Sequence, residues 1–138
     1  MQQKSMKTNI PSKIKNHQVV ARNSREHRLW ALEAARLAEQ VLPIFEKEHP
    51  DDERPRQAIE AIRAWVQGRR ELGMAEVSKL SLGSHAAARE AKTDAARFAA
   101  RAAGHAVATW HVPTHATAVP RYADKAVAAS QSSATRTK

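Results

Sequence analysis

Cysteine is absent from the 138 residues. Disulfides, thiolate zinc sites and cysteine nucleophiles are therefore excluded, and the composition suits a reducing cytoplasm, the expected location. Aromatic residues make up only 4%, and glycine occurs four times. Leu, Ile, Val and Phe are sparse, so alanine supplies much of the 42% hydrophobic fraction. With few β-branched runs, this balance favours helix over sheet. No stretch approaches the roughly 20 apolar residues of a membrane span. The N-terminus carries lysines but no apolar segment behind them, which argues against a secretory signal.

Charge is what the chain has in excess, with a net value of +9. Its placement matters more than its size. Residues 1–23 contain Lys4, Lys7, Lys13, Lys15 and Arg22 and no acid, and residues 131–138 contain Arg136 and Lys138. Residues 24–130 hold 16 basic and 14 acidic residues, with the signs interspersed. A nucleic-acid domain should carry a basic stripe on its folded surface. Here the excess lies in two tails, which more often solubilise than recognise. Nucleic acid is therefore not the expected partner, and neither is a membrane.

Apolar periodicity is missing from residues 1–23 and 131–138, which read as a disordered basic leader and tail. Residues 24–130 read as a single domain. The first helix starts at an N-cap, Ser24, and carries Leu29, Leu32, Ala35, Ala38, Val41 and Leu42 at spacings of three and four. Pro43 should kink or restart it, and His49-Pro50 ends it. The second follows "PDDE", with Asp51 or Asp52 as cap and Pro55 in the first turn, and buries Ala58, Ile59, Ile62, Trp65 and Val66. Gly68 or Gly73 stops it. A third runs from near Met74 to about Ala91. A fourth runs from the Thr93 cap to about His111, with a small-residue stripe that marks it as central. A fifth spans about Pro113 to Ala129, with a bend or break at Pro120. Short connections make this an all-α, compact bundle of about five helices with disordered basic tails.

Three of the seven histidines lie in "GHAVATWHVPTH". His111 and His115 are four apart, but Pro113 separates them onto two elements. His105 precedes His111 by six residues, which on a straight helix turns it 240° away. The three are thus not expected to converge, no metal or other cofactor is expected, and the favoured reading is capping or bridging at a helix joint. Arg54 and Arg56 flank Pro55 at a helix start, where two guanidiniums could bind an anion. Pairing with Asp51, Asp52 or Glu60 is the simpler reading. Trp30, Trp65 and Trp110 read as core or core-rim residues. Trp110, beside the histidines, is the candidate interface anchor. No nucleophile with its base, phosphate loop or paired inner carboxylates is visible, so no enzyme is expected.

Read together, "LPIFEKEHPDDERPRQAIEA", "RAWVQG", "AGHAVATWHVPTHA" and "YADKAV" resemble a family of small all-helical bacterial proteins regarded as immunity proteins of polymorphic toxin systems. The resemblance spans about residues 25–127. It implies an all-α fold and neutralisation of a toxin by binding, and it implies no catalytic residues. Two function classes follow. The first is an interaction protein whose partner is a protein, its cognate toxin, met through Arg54, Arg56, Trp110, His111, His115 and Tyr122. The second is a small-ligand- or metal-binding helical protein using the same Arg/His cluster in a cleft. A pocket that converges these side chains would favour the second.

Overall fold

In a computed structural model the structure describes residues 8–10 and 20–136, with side chains to Ser132. Five α-helices follow in order: α1 Arg25–Glu48, α2 Arg54–Val66, α3 Met74–Glu90, α4 Asp94–Ala108 and α5 Ala118–Arg136. A 3-10 turn, Pro113–Thr117, joins the last two. No strand occurs among the described residues, and the fold is an all-α bundle. The disorder expected for the leader and tail falls, for residues 1–7, 11–19 and 137–138, outside the described residues. Within the leader, Ile10 is buried against the bundle and the Asn9 N–H donates to Glu33 at 3.0 Å. The last helix continues to Arg136, past the end expected near Ala129.

The helix boundaries follow local chemistry. Ser24 Oγ accepts from the His27 N–H at 3.1 Å, and Thr93 Oγ1 accepts from the Ala96 N–H at 3.1 Å, each satisfying a donor left free at a helix start. Before α2 the capping side chain is Asp52, which accepts from the Arg54 N–H, while Glu53 occupies the cap position. Gly68 closes α2 with φ of 75°. The Arg69 N–H reaches back to the Ala64 carbonyl at 2.9 Å, a left-handed termination that glycine adopts without strain. Pro43 does not interrupt α1. It lies on the exposed face, where water can reach the Glu39 carbonyl that loses its donor. Pro120 does not break α5 either, because it falls in the first turn. The bend expected there occurs just before it, in the 3-10 turn.

Helix α4 is central and packs on all four other helices. Its buried face is Ala95, Ala96, Ala99, Ala100, Ala102, Ala103, Gly104 and Ala106. Such small side chains let axes approach closely, and α3 uses this approach directly. Ser81 Oγ donates to the Gly104 carbonyl at 3.1 Å, and Ser84 Oγ to the Ala100 carbonyl at 2.8 Å. Helix α1 buries Ala35, Ala38, Val41 and Leu42 as expected, but its inner face is broader than the expected stripe and leaves the first two leucines outside. Trp30, Ala31, Ala34, Leu37, Val41 and Phe45 point inward, while Leu29 and Leu32 are 53% and 39% exposed. Alanines take the inner positions of α1 because α4 meets them with alanines of its own.

The helices run antiparallel, which gives the bundle two distinct ends. At one, Thr93 Oγ1 donates to the Glu48 carboxylate at 2.9 Å, and Arg54 bridges Asp52 and Glu90, both at 2.7 Å. At the other, His27 is fully buried between α1 and α4. Its Nε2–H donates to the Thr109 carbonyl at 2.6 Å, and its Nδ1 accepts from the Asn23 N–H at 2.9 Å. Trp65 lies beside it, 5.1 Å between ring centroids, with the Arg28 guanidinium 4.4 Å above the indole. Helix α4 alone separates the ends by about 22 Å at 1.5 Å per residue.

Candidate functional site

Helices α3 and α5 both pack on α4 and make no contact with each other among the described residues. The surface of α4 between them carries Phe98, Arg101 and His105, one stripe at spacings of three and four. His85 of α3 and Tyr122 of α5 close on this stripe from either side, and His115 reaches it from the 3-10 turn. The rings form a continuous stack. Centroids are 5.1 Å apart for His85 and His105 in an edge-on contact, 5.2 Å for His105 and His115, and 5.2 Å for His105 and Tyr122, which lie nearly parallel. Phe98 follows at 6.3 Å from Tyr122.

The hydrogen bonds constrain the protonation of the imidazoles. Arg101 Nη1–H donates to His85 Nδ1 at 2.8 Å, so that nitrogen carries no proton. His105 Nδ1 and His115 Nδ1 are 3.0 Å apart, so one donates and the other accepts. Burial first, and then the charge of Arg101, pushes His85 down to about 4. Burial also pushes His105 down to about 4, with His85 and His115 adding to the effect. His115 is lowered too, by burial and then by His111. Near neutral pH the cluster is therefore a set of uncharged hydrogen-bonding rings beside a guanidinium. The facing His105 and His115 nitrogens satisfy each other. Among the described residues no three His, Asp, Glu or Cys side chains are grouped to hold a metal ion.

The expectation that His105 points away from His115 is overturned. Helix α4 ends at Ala108, where both the His111 and Val112 N–H groups turn back to the Ala108 carbonyl. The 3-10 turn then folds His115 over His105. The straight-helix geometry behind the expectation stops three residues before His111. His111 is exposed and stacks on Trp110 at 6.5 Å. Trp110 is half-buried, with the Arg22 guanidinium 5.0 Å above its ring.

Arg54 and Arg56 do not join this group. They start α2 beside the face of α3 turned away from His85, where the Arg54 stem lies against Gly83. Arg54 holds Asp52, the expected local partner, and Glu90 of α3. Arg56 holds Glu46 of α1 at 2.6 Å and Glu60 at 3.6 Å. Of the residues singled out in the sequence, the structure brings together His115 and Tyr122, with Trp110 and His111 adjoining. It adds His85, His105, Arg101 and Phe98. The only sequence signal for His85 is its position, a lone imidazole in the alanine-rich "GSHAAARE".

A family model described as "Imm-5 like putative immunity protein" matches residues 21–138. No match to the chain is found among curated proteins or solved structures. The matched region takes in all five helices and every residue of the histidine cluster, and the chain belongs to the Imm-5 like immunity protein family.

Proposed function

We propose that the chain neutralises a partner toxin by binding it, and that the α3–α4–α5 groove, with the adjoining Trp110 and His111, is the binding surface. The observation that carries this reading is the ring stack of His85, His105, His115 and Tyr122 beside Arg101. Its members are half-buried and locked by mutual contacts, so a partner meets them with little side-chain entropy left to lose. Tyrosine, tryptophan and arginine are also the residues that most often anchor protein interfaces. Arg54 and Arg56 are left out of the surface because their ion pairs already tie α1, α2 and α3 together.

Among the described residues the hydrogen bonds of these imidazoles run to Arg101 and to each other and to no serine or threonine hydroxyl, which supports binding over catalysis. The test is protection. Cells producing the toxin encoded beside this chain should survive when the chain is co-produced. Survival should fall at least about tenfold with His115→Ala/Tyr122→Ala, a double variant that removes about 1.4 kcal/mol or more of binding. Undiminished survival with a folded double variant would remove the groove from the account. Failure of the unaltered chain to protect would contradict the neutralising role.

A further inference from the structure

The cations of this protein fall into two sets. Across α1, α2 and the start of α3, five arginines are matched to carboxylates: Arg36 to Glu33, Arg54 to Asp52 and Glu90, Arg56 to Glu46, Arg63 to Glu39 and Arg70 to Glu76, while Arg28 and Arg69 are held by the Trp65 carbonyl and Gln67. Around the groove the pattern changes. Arg89, Arg101, Arg121 and Lys125 form no ion pair with a carboxylate among the described residues. Arg101 is spent on a neutral histidine. Lys125 Nζ stands 5.5 Å from the Phe98 ring and 5.7 Å from the Tyr122 ring. Arg89 and Arg121 lie close enough to His85 and His105 to act on their charge. Four cations thus gather around one strip of aromatic rings with no carboxylate partner among the described residues.

We propose that the groove takes a carboxylate-rich segment of the partner protein, with Asp or Glu side chains seated against Arg89, Arg101, Arg121 and Lys125. This rests on the binding role proposed above and names the chemistry of what is bound. Guanidiniums match carboxylates in a two-pronged geometry, and the uncharged histidines add N–H donors that water need not be stripped from an ion to supply. Phe98 and Tyr122 offer apolar contact between the charges. A protein segment fits better than a nucleic acid. The cations occupy one short groove, whereas phosphate backbones call for a basic stripe over an extended surface.

The experiment titrates the full chain with hexaglutamate and, separately, with hexathymidylate, following histidine and backbone resonances by NMR at low salt. Hexaglutamate should shift His85, His105, His115 and Tyr122. Arg121→Gln/Lys125→Gln should weaken it about fivefold or more, both side chains being exposed and neither holding a carboxylate among the described residues. Arg36→Gln/Arg70→Gln, which removes the same charge elsewhere, should change affinity less than about twofold. Shifts scattered over the surface, equal weakening by both double variants, or tighter groove binding of hexathymidylate would each overturn the proposal. The titration uses no toxin. Its failure would thus leave the protection result standing, and a chain that bound hexaglutamate in the groove without protecting cells would keep this inference while losing the neutralising role.

Discussion

At the scale of single residues, His27 shows how much of the fold rests on one uncharged side chain. It is fully buried, donates to the Thr109 carbonyl and accepts from the Asn23 N–H, so it ties the start of α1 to the end of α4. His27→Ala leaves that buried carbonyl without a donor and opens a cavity beside Trp65. The expected loss is about 2–4 kcal/mol, read from chemical denaturation. The same residue sets a pH dependence. Burial lowers the His27 pKa, as it does for His85, His105 and His115. In the unfolded chain these groups bind protons below about pH 6.5, which the folded state refuses until about pH 4 for His85 and His105. Their contribution is complete above pH 6.5 and is lost as pH falls toward 4. The melting temperature should drop by about 5 °C or more between pH 7 and 4.5, with protons taken up on unfolding. A flat profile would mean that the imidazoles are solvated. The Ser24 cap was legible from its position before an apolar stripe. The role of His27 was not, because its partner lies 82 positions away.

At the scale of elements, α4 was legible as the small-residue helix at the centre, since alanine and glycine at helical spacing have little use except close packing. The register between α3 and α4 was not legible, and it places the His85 ring over Gly104. A Cβ on Gly104 would stand 2.7 Å from His85 Nε2. The ring cannot simply swing away, because Arg101 and His105 hold its other edge. Gly104→Ala should therefore destabilise by about 1–2 kcal/mol even after the roughly 1 kcal/mol that alanine gains over glycine in a helix. Adding His85→Ala should recover part of that loss, a coupling that a thermodynamic cycle on the four proteins measures. Additive effects would show that the two side chains do not meet. The same limit explains the misplacement of His105 relative to His115. Spacing arithmetic holds within a helix, and the 3-10 turn after Val112 supplies a reversal that Pro113 signals only as a break.

At the scale of the molecule, the all-α architecture and its helix number follow from composition and periodicity, whereas the separation of its two charged regions does not. Arg54 and Arg56 sit at the start of α2, on another face of α3 from the histidine cluster, and serve as ties between helices. The leader also contributes more than its composition suggests. Ile10 is only 4% exposed, Asn9 is bound to Glu33, and Arg22 covers Trp110. Removing residues 1–23 should lower the melting temperature by about 5 °C, and a shift within about 2 °C of zero would show that Ile10 buries nothing that matters. The central claim is that this bundle neutralises a toxin through the groove built by α3, α4 and α5. Its most direct test is the dissociation constant between the purified chain and the toxin encoded beside it, measured for the unaltered protein, for His115→Ala/Tyr122→Ala and for Arg54→Gln/Arg56→Gln. The account predicts a loss of about tenfold or more for the groove variant and less than about twofold for the α2 variant, with both folded. Equal affinity for the unaltered protein and the groove variant, or a loss confined to Arg54→Gln/Arg56→Gln, would contradict it.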